Sequence, residues 1–517
     1  MDIMLSVKDI TSLMPEQPSP EGLALIEKAF ETAERAHEGH LRYSGDPHFI
    51  HVYETAKTLA ELGMGPKTIA AGLLHDSIED TDITEEELEK EFGSEVLFLV
   101  QGVTKLGHLR YRGAERHTES LRKLFVATSR DIRVLIIKFA DRLHNIKTLE
   151  HLPDKNKQHR IAVETLEIYV PLAYRLGVRK IHRELEDYAF RQAYPEAYEE
   201  TKQLLKKYSP EALKRLDKIH KSIRKALAKD GMTNIHTYSR IKGLYSLYKK
   251  LQRKKTIEKI YDIAALRVVV PNVSDCYKAL GIIHGIWRPL PGRIRDYIAF
   301  PKPNGYQSLH TTIFTGDGGI VEVQIRTERM HREAEFGIAS HLSYKEGFKR
   351  KTVNPNLLWL RHLIPYTRSI DASEDEKAEH YAEVTANSKE MDIPQWLKLL
   401  ASEQREAMEP NEFINQLKVD FFERRIFVFT PKGDVIDLPV DSSPIDFAYA
   451  VHSEIGDHTS GAKVNGKMVS LDTPLKNGDI VEILTKTSSK PTSKWLEFSK
   501  TSLARRHIRN TLQQKQT

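Results

Sequence analysis

Two histidines and two aspartates stand among apolar residues in the first third of the chain. They are His51, the adjacent pair His75 and Asp76, and Asp141. A buried imidazole or carboxylate is costly without a partner, and a shared divalent cation is one such partner. Two nitrogen and two oxygen donors suit manganese or iron, and also zinc. The four residues therefore predict a metal centre, and the alternative is that they are ordinary capping and surface residues.

Two more carboxylates follow the histidine–aspartate pair by one helical turn. At about 100° per residue, Glu79 and Asp80 share one helix face with that pair. Because metal coordination lowers the pKa of water towards about 7, these carboxylates are placed to accept a proton from a water that the cation activates. Asn145 lies one turn after Asp141 and is a candidate for orienting a substrate.

The chain also carries a group of cations beside two carboxylates. Glu322 and Gln324 share a strand face with Arg326, because side chains alternate along a strand. Asp262 precedes another strand-like segment, which contains Arg267. The surrounding basic and polar residues are Arg240, Lys242, Arg293, Arg295, Lys302, Asn304, Tyr306 and His310.

This second group has the composition that nucleotide phosphate chemistry requires. Magnesium on a carboxylate neutralises charge on phosphates, and Arg and Lys clamp their oxygens. A second carboxylate can accept the proton of an attacking hydroxyl. Tyr306 offers a flat face on which a base can stack. A basic surface near a strand edge is the alternative interpretation.

Apolar spacing divides the chain into regions that must position these residues. Three- and four-residue spacing dominates the first 200 residues, and strand-like alternation begins later. We predict a multidomain fold with an all-α domain, an α+β domain and a small β-rich domain. The predicted regions are the all-α domain (1–200), a helical connector (201–235), the α+β domain (236–345), a charged helical linker (346–420), the β-rich unit (421–487) and a basic helical end (488–517).

Composition excludes several classes of protein. The one cysteine, Cys276, can form no internal disulfide and no cysteine-based zinc cluster. No stretch approaches the roughly 20 apolar residues of a membrane span, and the first residues lack the pattern of a secretory signal. The net charge of +6 permits a polyanionic partner without requiring one. We expect a cytoplasmic protein that binds no membrane.

The first constellation resembles the HD-type hydrolase domain of the long RelA/SpoT homologues, which hydrolyse and synthesise (p)ppGpp. The resemblance rests on FIH (49–51), GLLHDSIEDTDIT (72–84), GVTKLG (102–107) and KFADRLHNIKTL (138–149). It implies that Mn²⁺ is held by His51, His75, Asp76 and Asp141. It also implies that Glu79 and Asp80 activate water at the 3′-diphosphate, and that the nucleotide contacts Arg42 and Asn145.

The second constellation resembles the synthetase domain of the same family, a nucleotidyltransferase-like α+β domain. The matching strings are YDIAALRV (261–268), GRIRDYIAFPKPNGYQSLHTT (292–312) and VEVQIRT (321–327). In that family, the β,γ-diphosphate of ATP passes to the 3′-hydroxyl of GDP or GTP.

The resemblance implies roles for individual synthetase residues. Asp262 is implied as an Mg²⁺ ligand, Glu322 as a base or second ligand, and Tyr306 as the residue that stacks on guanine. The implied nucleotide contacts are Arg240, Lys242, Arg267, Arg293, Arg295, Lys302, Asn304, His310 and Gln324. The basic motif at 293–296 is the type that accompanies bifunctional members.

A third segment resembles a TGS domain, the module with which these enzymes recognise the acceptor end of uncharged tRNA on the ribosome. The segment is IFVFTPKGDVIDLPVDSSPIDFAYAVHSEIG (426–456). His452 is implied as an RNA contact, and a plain surface histidine is the alternative. Full-length relatives continue with further regulatory domains, so we expect this chain to lack them.

We therefore expect a bifunctional enzyme of the stringent response that both hydrolyses and makes (p)ppGpp. The helical stretch 150–235 is expected to couple the two sites. One alternative is an enzyme with a single live site, such as a hydrolase with a weak or dead synthetase. Another is a regulator that senses nucleotides and binds tRNA or the ribosome. Intact acid–base residues favour the enzyme.

Overall fold

The computed structural model forms two compact units, each described separately below. The first comprises residues 1–104 and 133–352, and the second comprises 105–132 and 353–517. The residues that the structure describes are 5–104, 131–241, 243–254, 264–302, 306–316, 319–337, 339, 425–433 and 435–513. The predicted linker at 346–420 lies outside them.

The N-terminal part of the first unit is helical, as predicted. Its helices are α1 (Val7–Thr11), α2 (Pro20–Ala36), α3 (His48–Glu61), α4 (Pro66–Leu74), α5 (Ser77–Asp80), α6 (Glu85–Phe92), α7 (Ser94–Thr104), α8 (Arg133–Lys147), α9 (Lys155–Glu164), α10 (Val170–Arg175), α11 (Arg179–Ala193) and α12 (Pro195–Lys229). Helix α12 continues through the predicted domain boundary at residue 200.

Helix α8 packs against α3, α4 and α7 in the core of this region. Its buried residues are almost all apolar: Val134, Leu135, Ile136, Ile137, Phe139, Ala140, Leu143 and Ile146. Asp141 is the exception on this buried surface and is only 4% exposed. A carboxylate in such a position needs positive partners.

One expectation about the first constellation is wrong: the helix does not continue through His75 and Asp76. Helix α4 ends at Leu74, and α5 begins at Ser77. The His75 ring donates from Nδ1 to the Gly72 carbonyl (2.8 Å), which a continuous helix would give to the Asp76 N–H. Both interrupting residues keep right-handed helical dihedrals, so Glu79 and Asp80 still follow one turn later.

The second half of the first unit is a five-stranded mixed sheet with helices, as the α+β prediction requires. Its elements are β1 (His236–Ile241), α13 (Leu244–Lys254), β2 (Ala264–Val270), α14 (Val273–Ile286), β3 (Arg295–Asp296), β4 (Leu309–Phe314), β5 (Ile320–Thr327) and α15 (Glu328–Phe336). The strand order is β1-β2-β5-β4-β3. Strands β2 and β5 are parallel, and the other neighbours are antiparallel.

Alternation along the strands separates an apolar face from a polar face. Apolar residues of β2, β4 and β5 form one core with residues of α12 and α14. The opposite face carries Arg267, His310, Glu322, Gln324 and Arg326, which the register brings side by side. Strand β1 was not predicted from the sequence, and it adds Arg240 to the sheet opposite Ala265.

The second unit is the predicted small β-rich domain followed by a helix. Its elements are β6 (Arg425–Phe429), β7 (Val435–Pro439), α16 (Pro444–Val451), α17 (Ser453–Asp457), β8 (Thr459–Val464), β9 (Lys467–Val469), β10 (Val481–Thr485), α18 (Trp495–Phe498) and α19 (Ser502–Gln513). Strands β6 and β7 pair with each other, and β8 lies between β10 and β9. Among the described residues, no helix is long and apolar enough to cross a bilayer.

A buried aspartate joins α16 to the segment before α19. Asp446 accepts bonds from the backbone and hydroxyl groups of Ser443 (2.8 and 2.9 Å) and of Thr501 (both 2.8 Å). It also accepts from the Lys500 N–H at 2.9 Å. These bonds satisfy a carboxylate that burial would otherwise make very costly.

Replacing Asp446 with Ala should weaken the attachment of α19. Because several buried donors lose their acceptor, we expect a local loss of at least about 3 kcal/mol. Amide hydrogen exchange of Ser502–Gln513 measures it. The exposed Asp472→Ala variant is the control. Unchanged protection of α19 in Asp446→Ala would contradict this account.

Candidate functional sites

The four predicted metal ligands converge in the helical region. His51 comes from α3, His75 and Asp76 from the turn after α4, and Asp141 from α8. His51 Nε2 lies 3.3 Å from Asp141 Oδ1 and 3.5 Å from Asp76 Oδ2. His75 Nε2 lies 3.2 Å from Asp76 Oδ1 and 3.9 Å from Asp141 Oδ1.

These separations fit a common cation. Metal–ligand bonds of about 2.0–2.2 Å place neighbouring ligand atoms roughly 3.0–3.5 Å apart. One ligand atom from each of His51, His75 and Asp141 lies within 4.8 Å of the others, and all three residues are buried. The donor set therefore fits a divalent metal ion.

Hydrogen bonds fix both imidazoles with Nε2 free to bind metal. His75 donates from Nδ1 to the Gly72 carbonyl, and its buried Nε2 has no hydrogen-bond partner among the described residues. Arg42 Nη1 donates to His144 Nδ1 at 2.9 Å, so that nitrogen is an acceptor. His51 Nδ1, also 2.9 Å from it, must then be a donor. Such contacts orient metal-binding histidines.

Burial and nearby charges favour neutral His51 and His144 and an ionised Asp141. Burial lowers the pKa of His51 to about 4, and burial together with His51 lowers that of His144 to about 3. Burial raises the pKa of Asp141, but the positive charge of Lys138 at 2.7 Å outweighs burial and holds that pKa well below its usual value. Neutral imidazole and ionised carboxylate are the forms that bind metal.

The predicted nucleotide contacts of this site also meet. Arg42 Nη2 donates to Asn145 Oδ1 at 2.6 Å, and Asn145 Nδ2 donates to Asp141. His144, which the sequence analysis did not single out, joins this network through Arg42 and His51. Its position three residues after Asp141 on α8 was the available signal.

The acidic residues of α5 lie beside the metal ligands. Asp80 Oδ2 is 3.7 Å from His48 Nε2, and His48 Nε2 is 3.1 Å from Asp76 Oδ2. The Glu79 N–H donates to the Asp76 carbonyl at 3.2 Å. His48 was not predicted as a site residue, although it lies one helical turn before His51.

The predicted synthetase residues meet on the polar face of the sheet. His310 Nδ1 is 3.4 Å from Glu322 Oε1, and Gln324 Nε2 donates to the same oxygen at 2.8 Å. Tyr306 Oη and His310 Nε2 are 2.8 Å apart. Asp262, Lys242 and Asn304 lie outside the described residues.

Positive charge concentrates beside this group. Arg267 Nη1 lies 2.9 Å from Glu335 Oε1, and Arg326 Nη2 lies 3.5 Å from it. Among the described residues, Arg267 Nε and Nη2 and Arg326 Nε and Nη1 are buried without a hydrogen-bond partner. Burial and the neighbouring Arg267 lower the pKa of Arg326 to about 9. Unsatisfied guanidinium groups of this kind suit an anionic ligand.

The remaining predicted contacts are more exposed. Arg240 is half-buried, and burial with Arg183 and Arg179 lowers its pKa to about 10. Arg293 and Arg295 are exposed, and Arg295 donates to the carbonyls of its own loop at Gly292 and Ile294. Lys302 Nζ lies 4.6 Å from the centre of the Tyr297 ring.

A residue of the helical region covers the predicted stacking residue. The Arg179 guanidinium, at the start of α11, lies 4.4 Å from the centre of the Tyr306 ring, and Tyr306 is only 4% exposed. Burial raises the pKa of Tyr306, but His310, Arg179 and Arg326 lower it to about 6. Arg183, one turn later, lies 3.6 Å from Glu335. The sequence analysis did not single out either arginine.

In the second unit, His452 is exposed at the N-terminal end of α17. Its Nδ1 accepts from the Glu454 N–H at 3.2 Å, so the ring has a local capping role. Lys463, on β8, pairs with Glu482 at 3.3 Å.

Three family models match the chain in the expected order. They are the HD domain (29–179), the region found in RelA / SpoT proteins (239–349) and the TGS domain (426–485).

Curated relatives match over nearly the whole chain. A GTP pyrophosphokinase of Myxococcus xanthus is 44% identical over 96% of this chain and 61% of its own length. Two proteins named guanosine-3′,5′-bis(diphosphate) 3′-pyrophosphohydrolase also match. The one from Aquifex aeolicus is 42% identical (96% of this chain, 66% of the relative), and the one from Vibrio cholerae is 39% identical (98% and 67%). The chain thus spans about two thirds or less of these relatives.

Solved structures match over shorter stretches. Small alarmone synthetase 1 of Bacillus subtilis, bound to pppGpp, is 25% identical over 38% of this chain, with a TM-score of 0.24. A metazoan SpoT orthologue described as hydrolysing ppGpp is 24% identical over 35% of the chain, with a TM-score of 0.27. Scores this low add nothing to the assignment of the fold.

A divalent cation should stabilise the chain through Asp141. With Mn²⁺ at a hundredfold excess over its dissociation constant, the linkage is about 2.7 kcal/mol. We expect the apparent melting temperature of the wild type to rise with Mn²⁺ and that of Asp141→Asn to stay unchanged. The exposed Glu27→Gln variant is the control and should respond like the wild type. An equal metal-induced rise in Asp141→Asn would rule out this ligand set.

Proposed function

Because the chain belongs to the RelA/SpoT family, we propose that it is a bifunctional enzyme that hydrolyses and synthesises (p)ppGpp. Curated relatives bear the names of both activities. The observation that carries the proposal is the presence, in one unit, of two side-chain clusters suited to ligands of opposite charge. One gathers carboxylates and imidazoles for a cation, and the other gathers buried guanidinium groups for phosphate.

In the hydrolase pocket, His51, His75, Asp76 and Asp141 would hold Mn²⁺. The ion would supply a Lewis acid that neutralises phosphate charge and makes water more acidic. Glu79 or Asp80, one turn after Asp76, would accept the proton of the attacking water. The products would be pyrophosphate and GDP or GTP.

Arg42 would bind the nucleotide at the entrance of this pocket. Its guanidinium is held by Asn145 and His144, so it is oriented before substrate arrives. A pre-oriented guanidinium binds phosphate with less loss of side-chain freedom. Asn145 is hydrogen-bonded to both Arg42 and Asp141. It would therefore hold Arg42, the nucleotide contact, at a fixed position relative to the metal ligand Asp141.

In the synthetase pocket, Asp262 would bind Mg²⁺, and Glu322 would serve as a second ligand or accept the proton of the 3′-hydroxyl. Arg267 and Arg326 have buried N–H groups to offer to the phosphates of ATP. Tyr306 would stack on guanine. Diphosphate would pass from ATP to GDP or GTP and leave AMP.

The TGS segment adds a macromolecular partner to the proposal. His452 is exposed, and we propose it as a contact for uncharged tRNA on the ribosome. Its capping bond to the Glu454 N–H uses Nδ1 and leaves Nε2 available for RNA.

Helix α11 supports coupling between the two pockets. Its first turn sets Arg179 on the Tyr306 ring, where guanine would stack. Further along, Glu186 accepts from Ser246 Oγ at 3.1 Å and lies 3.4 Å from Lys249 Nζ on α13. Arg179 would therefore block the guanine-stacking face of Tyr306, and synthesis would require Arg179 to move away. Reciprocal control of this kind avoids futile cycling of ATP.

Variants in the two pockets should separate the reactions. We expect Asp76→Asn to lose pyrophosphate release from ppGpp with Mn²⁺, because a ligand oxygen is removed. We expect Glu322→Gln to lose AMP formation from ATP and GDP with Mg²⁺ by about 10²–10⁴-fold. Chromatography of the nucleotides measures both reactions.

The matched controls are neighbouring exposed acids, Asp82→Asn and Glu328→Gln. Both should keep both activities. The proposal fails if the wild type makes neither product, or if each pocket variant loses both reactions with its fold intact.

Arg179→Ala should release the synthetase. A cation over an aromatic ring contributes about 0.5–2 kcal/mol, so AMP formation should rise about 2- to 30-fold without a rise in pyrophosphate release. Arg191→Ala is the control, because Arg191 lies on the same helix in an exposed pair with Glu150. A fall in AMP formation would instead mean that Arg179 serves the substrate.

A further inference from the structure

We propose that a second divalent cation binds beside the first, held by His48, Asp76 and Asp80. This inference rests on the proposed hydrolase function and deepens it. Ligand atoms of these three residues lie within 4.8 Å of one another, in a group separate from His51, His75 and Asp141. A pair of metal ions is a recurrent device for phosphate chemistry.

Asp76 is placed to bridge the two ions. Its Oδ1 faces His75 Nε2 at 3.2 Å, whereas its Oδ2 faces His48 Nε2 at 3.1 Å and His51 Nε2 at 3.5 Å. One carboxylate oxygen of Asp76 therefore faces His75, a ligand of the first ion. The other oxygen lies between His51 of the first group and His48 of the second. Bridged ions in such sites are about 3.5–4 Å apart.

A buried histidine holds His48 in place. The His37 ring stacks on the His48 ring, with centroids 4.8 Å apart and planes 9° from parallel. His37 is 1% exposed and donates from Nδ1 to the Ala33 carbonyl at 2.9 Å. Its Nε2 is buried without a hydrogen-bond partner among the described residues.

A hydrogen bond from His48 to Asp76 alone explains this geometry less well than a second cation does, because it does not account for the position of Asp80. His48 Nε2 lies near carboxylate oxygens of two residues, Asp76 and Asp80, and can donate one proton to one of them. Arg42 already faces several carboxylates of the pocket, and a substrate diphosphate would add more negative charge. A second divalent cation offsets more of that charge than a single imidazole can.

The two sites differ in access. The inner ligands are buried, whereas the Asp80 side chain is 49% exposed. The group formed by His48, Asp76 and Asp80 is therefore the more accessible of the two to a diphosphate. With Asp80 committed to the outer ion, Glu79 is left as the proton acceptor.

Metal content tests the inference directly. The full chain is stripped with chelator, equilibrated with Mn²⁺ and analysed by metal quantification and by electron paramagnetic resonance. We expect two Mn²⁺ per chain, with a spectrum altered by coupling between the ions. His48→Phe keeps the stacking ring but removes both nitrogens, so it should bind one uncoupled Mn²⁺.

Two further variants guard against misfolding and unspecific effects. Asp80→Asn changes a partly exposed side chain and should lower the affinity of the second Mn²⁺ by at least tenfold. His40→Phe replaces an exposed histidine of the same segment and should keep two coupled ions. Helical circular dichroism checks that each variant is folded.

The outcomes separate this inference from the proposed function. One uncoupled Mn²⁺ in the wild type overturns the second site and leaves the hydrolase proposal standing. Two coupled ions in folded His48→Phe also overturn it. Binding of no Mn²⁺ by the wild type overturns both.

Discussion

The burial of Asp141 among apolar side chains is the constraint on which the HD domain depends. A carboxylate that is 4% exposed on a core helix is tolerable only with positive partners at hand. Lys138 supplies one of them at 2.7 Å, and the two imidazoles leave their Nε2 atoms pointed at the space where a cation would supply the other. Helices α3, α4 and α8 must therefore keep their relative positions. A shift of α3 or α4 along α8 would move an imidazole away from the Asp141 carboxylate and the cation site.

The region found in RelA / SpoT proteins buries positive charge, whereas the HD domain buries negative charge. Arg267 and Arg326 are buried with N–H groups that Glu335 does not satisfy, so that pocket is prepared for an anion. The same cationic cluster extends into the helical region through Arg179 and Arg183 on α11. Since α11 packs in the helical core and also touches the sheet domain, a change in one pocket has a physical route to the other. One set of side chains thus supplies the positive charge and joins the helical region to the sheet domain.

Local patterns in the sequence predicted the main helices and strands and the residues that gather at the two sites. The strand-like segment that contains Arg267 is β2, and apolar spacing correctly predicted helices in the N-terminal region. The break at His75 was missed, because it depends on a side-chain bond to Gly72 that periodicity does not reveal. His48, His144 and Arg179 were missed for a related reason. Their importance comes from neighbours far away in the chain. The nearby signals were the spacing of His144 from Asp141 and of His48 from His51.

The most direct test of the central claim is an anomalous scattering measurement at the manganese edge on crystals grown with Mn²⁺. The account predicts a peak about 2.0–2.3 Å from His51 Nε2, His75 Nε2 and oxygens of Asp76 and Asp141. A map with no manganese peak among these atoms, or with manganese bound only by other residues, would contradict it.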